Sequence, residues 1–119
     1  MRESLKPGDY QVRIDSTLAP GSLTYGELII PGQSDKEIFV STYVCHPSMA
    51  NNELSGPVVA TYLARWVSSL ESRRYTYRFV FAPETIGSLV YLQNNLETLR
   101  AQVVTALNLT CLGSNFEFS

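Results

Sequence analysis

Histidine is nearly absent from this chain of 119 residues: His46 is the only one. Cysteine is almost as scarce, with Cys45 and Cys111 alone. So few cysteines exclude a disulfide-stapled scaffold. Both lie in apolar, strand-like runs, where buried free thiols are expected. Long hydrophobic runs are missing as well. None approaches the ~20 residues of a membrane span, and "MRESLKPGDY" has no apolar core of a secretion signal. A cytoplasmic chain without a membrane partner is therefore expected. A basic stripe is also lacking. The nine Lys and Arg are scattered and the net charge is −2, which argues against a nucleic-acid surface. No repeat or low-complexity tract occurs. What remains is ordinary for a soluble globular protein: 45% hydrophobic and 17% charged residues. The length suits one domain with a real core.

Periodicity gives the elements. "DYQVRID", 9–15, alternates Tyr10, Val12 and Ile14 against Gln11, Arg13 and Asp15, the pattern of a half-exposed strand. "LTYGELII", 23–30, and "EIFVSTYVC", 37–45, read as strands. The turn chemistry of "PGQSDK" between them suggests a hairpin. The loop 46–54 leads to Ser55-Gly56-Pro57, a cap followed by a first-turn proline. Val59, Tyr62, Leu63, Trp66, Val67 and Leu70 then trace one face of a helix over 56–71. "YTYRFVFA", 75–82, is a strand, and Ile86, Leu89, Leu92, Leu96 and Leu99 mark a helix over 86–100. "VVTALNLTCL", 103–112, is apolar almost throughout, as expected in the middle of a covered sheet. Strands alternating with helices imply a three-layer α/β/α domain with a mixed, mostly parallel sheet.

In such sheets ligands gather beyond the carboxyl ends of the strands. Three strand ends carry polar groups: Cys45 to Ser48 with Asn51, Asn52 and Glu53; Glu84 and Thr85; Asn108, Thr110 and Cys111. If these strands run parallel, one imidazole and two carboxylates share a crevice, a set suited to zinc and a general base. Each residue also has a plainer use. His46 can close a strand end, Glu53 and Glu84 can complement helix dipoles, and Asn51 and Asn52 can shape a turn. Ser55 lacks a nucleophile elbow and a second histidine, so capping is its expected role. Cys45 pairs poorly with His46, because neighbours on a strand face opposite ways.

The combined text "ELIIPGQSDKEIFVSTYVCHPSMANNELSG", "FAPETIGS" and "LNLTCLG" resembles the two-zinc aminopeptidase family. It is most similar to the aminopeptidase-like proteins associated with polysaccharide biosynthesis. Those carry "GDY.V.IDS.L.PGSL.YGE", "CHPS.AN", "PETIGS" and "LTC.G" in this order. The resemblance implies a sheet of the zinc-aminopeptidase (phosphorylase/hydrolase-like) type, incomplete here. Residues 1–21 would be the tail of an inserted β-rich domain. Residues 22–119 would be the N-terminal half of the aminopeptidase-like domain, ending before the family's last ligand histidine.

By the same resemblance His46 matches a zinc ligand and Glu84 the general base. Ser48, Asn52, Thr85 and Thr110 stand where the peptidases have acidic residues, while Glu53 beside Asn52 restores a carboxylate. One Zn²⁺ held by His46 and Glu53 is therefore implied rather than two, with a peptide-like or amide substrate. The alternatives are a non-catalytic binding or scaffold domain in polysaccharide biosynthesis, or an inactive fragment. No residue pattern indicates an oligomeric state.

Overall fold

Side-chain alternation places a core on each face of one sheet. The computed structural model describes residues 6–114. Its strands are β1 (Gly26–Ile30), β2 (Glu37–Tyr43), β3 (Thr76–Ala82) and β4 (Val103–Asn108). The helices are α1 (Ser55–Ser69), entered through a π-helical turn Ala50–Leu54, and α2 (Ile86–Gln102). Phe79 and Val40 turn towards Ile30 and α1 residues Ala60, Ala64 and Val67. Val80 and Ala82 turn the other way, towards Tyr91 and Leu99 of α2. The expected three layers follow. Each large side chain fully withdrawn from water, such as Phe79 or Val67, contributes about 1.5–3 kcal/mol.

The strand order is β1-β3-β2-β4. β2 runs parallel to both β3 and β4, and β1 runs antiparallel to β3. The sheet is thus mixed and mostly parallel. The expected hairpin of 23–45 does not form, because β3 lies between β1 and β2. The "PGQSDK" segment instead wraps the start of β3. Gln33 and Ser34 donate to the carbonyls of Arg73 and Arg74 at 2.8 and 3.0 Å. A Cβ on Gly32 would run into the Tyr75 carbonyl, so only glycine allows this approach.

Four further expectations need correcting. Residues 9–15 form no strand: Tyr10, Val12 and Ile14 are exposed, and no partner strand lies beside them among the described residues. Alternation without a paired neighbour does not hold a strand. The sheet-facing side of α1 is Gly56, Ala60, Ala64 and Val67, while Val59, Tyr62 and Trp66 face outward. Small residues let the helix lie close to the sheet. A Cβ on Gly56 would collide with the Leu109 carbonyl and the Thr42 hydroxyl. In α2 the buried positions are Gly87, Tyr91 and Leu99, and Ile86, Leu89, Leu92 and Leu96 are exposed. Lastly, β4 ends at Asn108 and pairs only with β2 among the described residues. Val104 and Leu107 stay exposed, so it is not a covered central strand here.

Tyr91 anchors α2 through a polar cluster that periodicity cannot see. Arg78, in the middle of β3, holds Glu37 of β2 with two bonds, Nε to Oε2 at 2.7 Å and Nη2 to Oε1 at 2.8 Å. Its Nη1 donates to Glu27 of β1 at 2.7 Å and to the Tyr91 hydroxyl at 3.3 Å. Tyr91 in turn donates to Glu27. The Glu37 carboxylate holds the Arg78 proton more firmly than usual. Burial, reinforced by Glu27, pushes the Tyr91 hydroxyl up to about 12. Three strands and a helix are thereby tied by one set of ion pairs and hydrogen bonds.

Candidate functional site

Topology fixes where the site lies. The chain leaves β2 through α1 and returns in β3 on one side of β2. It leaves β3 through α2 and returns in β4 on the other side of β2. Crossovers of one hand that step in opposite directions put their helices on opposite faces. The loops after β2 and β3 therefore part towards different faces. A crevice opens between them, the usual ligand position of an open α/β sheet.

His46 and Glu84 sit in that crevice. Tyr43 pairs with Ala82, and the Val44 amide still donates to the Ala82 carbonyl at 3.0 Å. Parallel pairing thus continues just past the strand ends and delivers residues 45–46 beside residues 83–84. His46 Nε2 lies 3.3 Å from Glu84 Oε2, with the side chains 53% and 42% exposed. Both groups are reachable from solvent, unlike Arg78 and Glu37.

Cys45 joins them. Ligand atoms of Cys45, His46 and Glu84 all lie within 4.8 Å of one another. Alternation argued against a shared face for Cys45 and His46, but β2 ends at Tyr43 and alternation stops with it. Both cysteines are free and exposed, not buried as their apolar neighbours suggested. Each lies beyond the last residue of its strand.

Glu53 is placed differently. It is buried inside the π-helical turn, and its Oε2 accepts the Cys45 amide at 2.5 Å. Its Oε1 is buried without a partner, as is Oδ1 of Asn52. Two unpartnered acceptors on adjacent residues are costly in a folded chain. Ser55 does not cap α1. Its hydroxyl donates to the Asn51 carbonyl and accepts the Leu112 amide at 2.9 Å.

The third strand end arrives as anticipated. Asn51 Oδ1 accepts the Gly113 amide at 2.6 Å, and the Tyr43 and Thr110 hydroxyls are 2.6 Å apart. Leu109 donates to the Ser41 carbonyl at 2.8 Å. All three polar strand ends thus meet at one edge. Each of their loops also holds one non-glycine residue at positive φ: Ser48 at 66°, Thr85 at 58° and Cys111 at 51°. For a β-branched residue such as Thr85 this conformation is costly, and such strain gathers at functional sites. A pocket of about 340 Å³ adjoins, lined by Phe39, Tyr43, Ala82, Glu84, Tyr91 and Leu92 among others. No helix of the described residues is long and apolar enough to cross a membrane.

Zinc suits this donor set. It takes nitrogen, sulfur and oxygen ligands, commonly three from the protein at a catalytic site. An imidazole, a thiol and a carboxylate lie within reach of one ion; Glu53 touches Cys45 through its other oxygen but is not among those grouped ligand atoms.

Fold and site together define a mixed α/β chain with a histidine–carboxylate crevice at its strand ends. Comparison with known proteins places it more closely. The chain belongs to the family described as "Domain of unknown function (DUF4910)", whose model matches residues 8–119. It is 48% identical over 111 residues to a Clostridium acetobutylicum protein named "Putative polysaccharide biosynthesis protein with aminopeptidase-like domain". That match covers 93% of this chain and 25% of the relative, so the chain spans about a quarter of its curated relative. The crystal structure of a "putative peptidase" from the same species matches with a TM-score of 0.72 and 45% identity, over 76% of this chain and 21% of that one. The chain is thus related to the aminopeptidase-like proteins that its four motifs resemble.

Proposed function

We propose that the full-length protein containing this chain is a metal-dependent hydrolase of peptide-like or amide bonds, of the zinc-aminopeptidase fold type. The observation that carries this reading is the 3.3 Å approach of His46 to Glu84 at the switch point of the sheet. His46 and Glu53 are the ligands: His46 through its exposed imidazole, Glu53 through the carboxylate oxygen that no protein group satisfies. Zinc bound there would supply Lewis-acid activation of water and of the scissile carbonyl. Glu84, beside His46 and open to solvent, takes the proton from the attacking water as general base. The adjoining apolar pocket gives a substrate side chain a place to lodge.

A test is hydrolysis of aminoacyl anilides by the full-length protein. Glu84→Gln should lower kcat about 100-fold or more, the scale of a lost general base, while metal content stays unchanged. Equal turnover by the variant would remove Glu84 from the chemistry.

One observation favours a second reading, a binding domain without catalysis. Thr110 and Asn52 stand at acidic positions of the peptidase motifs, and both are engaged within the protein, with Tyr43 and Cys111. On this reading no anilide is cleaved, and a precursor of polysaccharide biosynthesis is held in the same crevice. Glu84-dependent hydrolysis would rule it out.

A further inference from the structure

The metal reading leaves a gap. Catalytic zinc commonly takes three protein ligands, the chain has one histidine, and Glu84 is occupied as the base. We propose that Cys45 fills the gap, as a sulfur ligand to the ion held by His46. This rests on the reading of His46 as a metal ligand and goes beyond it in naming the donor set, and with it the class of ion.

Three features support the assignment. Cys45 Sγ lies within 4.8 Å of both the His46 ring and a Glu84 oxygen. Ligand atoms around a tetrahedral zinc stand roughly 3.3–3.8 Å apart, given bonds of about 2.0–2.3 Å, so small side-chain rotations suffice. The Cys45 backbone is also held in place. Its amide donates to the buried Glu53 carboxylate at 2.5 Å, and the neighbouring Val44 amide is bonded to Ala82. Finally, the thiol is free and exposed. Cys111, the other free thiol, contacts Thr110 and Asn52 and is not among the Cys45, His46 and Glu84 group.

Binding converts the thiol to a thiolate, so one proton leaves to solvent as the metal–sulfur bond forms. A nitrogen, sulfur and oxygen set favours zinc and cobalt over magnesium, calcium and manganese, which prefer all-oxygen shells.

Cobalt(II) is the probe, added to the metal-free full-length protein. A thiolate-to-cobalt charge-transfer band is expected in the near ultraviolet for the wild type and for Cys111→Ser, and not for Cys45→Ser. Cys45→Ser should also bind the ion about 10-fold or more weakly, as when a ligand contact is lost. Cobalt bound with visible ligand-field bands but no thiolate band would overturn the sulfur ligand and leave the His46 metal reading intact. A band that survives Cys45→Ser and disappears in Cys111→Ser would also overturn it. No cobalt bound at all would remove both readings.

Discussion

Two polar clusters in this molecule put glutamate carboxylates to opposite ends. Around Arg78, the Glu37 carboxylate, the guanidinium and the Tyr91 phenol are buried, the Arg78–Glu37 pair is bidentate, and Glu27 closes the set from the exposed edge strand. Around His46, an imidazole, a thiol and a carboxylate face solvent at the strand ends. The only described buried side-chain oxygens without partners lie on the adjoining loop, on Asn52 and Glu53. A saturated cluster has nothing left to offer a ligand, so it holds the fold. An unsaturated one at a topological switch point can bind something. Charge alone does not mark a functional site; unsatisfied valence in a reachable place does.

The sharpest way to break this contrast is Arg78→Met. It leaves the buried Glu37 without its cation, and Glu27 of the edge strand as well, and should cost about 3–5 kcal/mol of stability. Urea denaturation measures it, and a loss below about 1 kcal/mol would mean the cluster is not what ties β1, β2, β3 and α2 together. Glu53 lies between the two classes, since one of its oxygens is used and the other is not. Glu53→Ala removes the acceptor of the Cys45 amide and should cost about 1.5–3 kcal/mol. Glu53→Gln should restore much of that stability but not the metal affinity. Recovery of both would make Glu53 purely structural.

Smaller effects sharpen the same division. Burial holds the Tyr91 hydroxyl near 12, above the ordinary 10. Between these values the folded chain keeps a proton that the unfolded chain has lost, so stability falls as pH rises through that window. By pH 11 the loss should be on the order of 1 kcal/mol relative to neutral pH, and Tyr91→Phe should abolish this component in a pH series of denaturation curves. His46→Ala and Glu84→Gln should change stability by no more than about 0.5 kcal/mol, because both side chains are exposed. Larger losses would mean that the open cluster also carries part of the fold.

Much of this was legible in the sequence, in a definite order. Strand and helix positions from 37 onward follow from periodicity to within a few residues. The meeting of three strand ends follows from the β-α-β-α-β order alone. Which face each helix buries was not legible. Apolar counting chose Val59, Tyr62 and Trp66, but close approach chose Gly56, Ala60 and Ala64. In α2 the leucine stripe points to one face, whereas the buried face carries Tyr91, whose hydroxyl is bonded to a buried arginine. One signal was available: Arg78 interrupts the apolar run "YTYRFVFA". The place of β1 beyond β3 was hidden because a Pro-Gly turn suits a hairpin equally well. For Cys45 the alternation rule ceases to apply, because β2 ends two residues before it.

The central claim is that His46 holds a metal at the switch point. Zinc content by elemental mass spectrometry, on the full-length protein and on its His46→Ala variant, tests it most directly. About one zinc per chain is expected in the wild type, as in a single catalytic site, and close to none in the variant, with denaturation midpoints nearly the same. A wild type without zinc, or a variant that keeps it, would contradict the account.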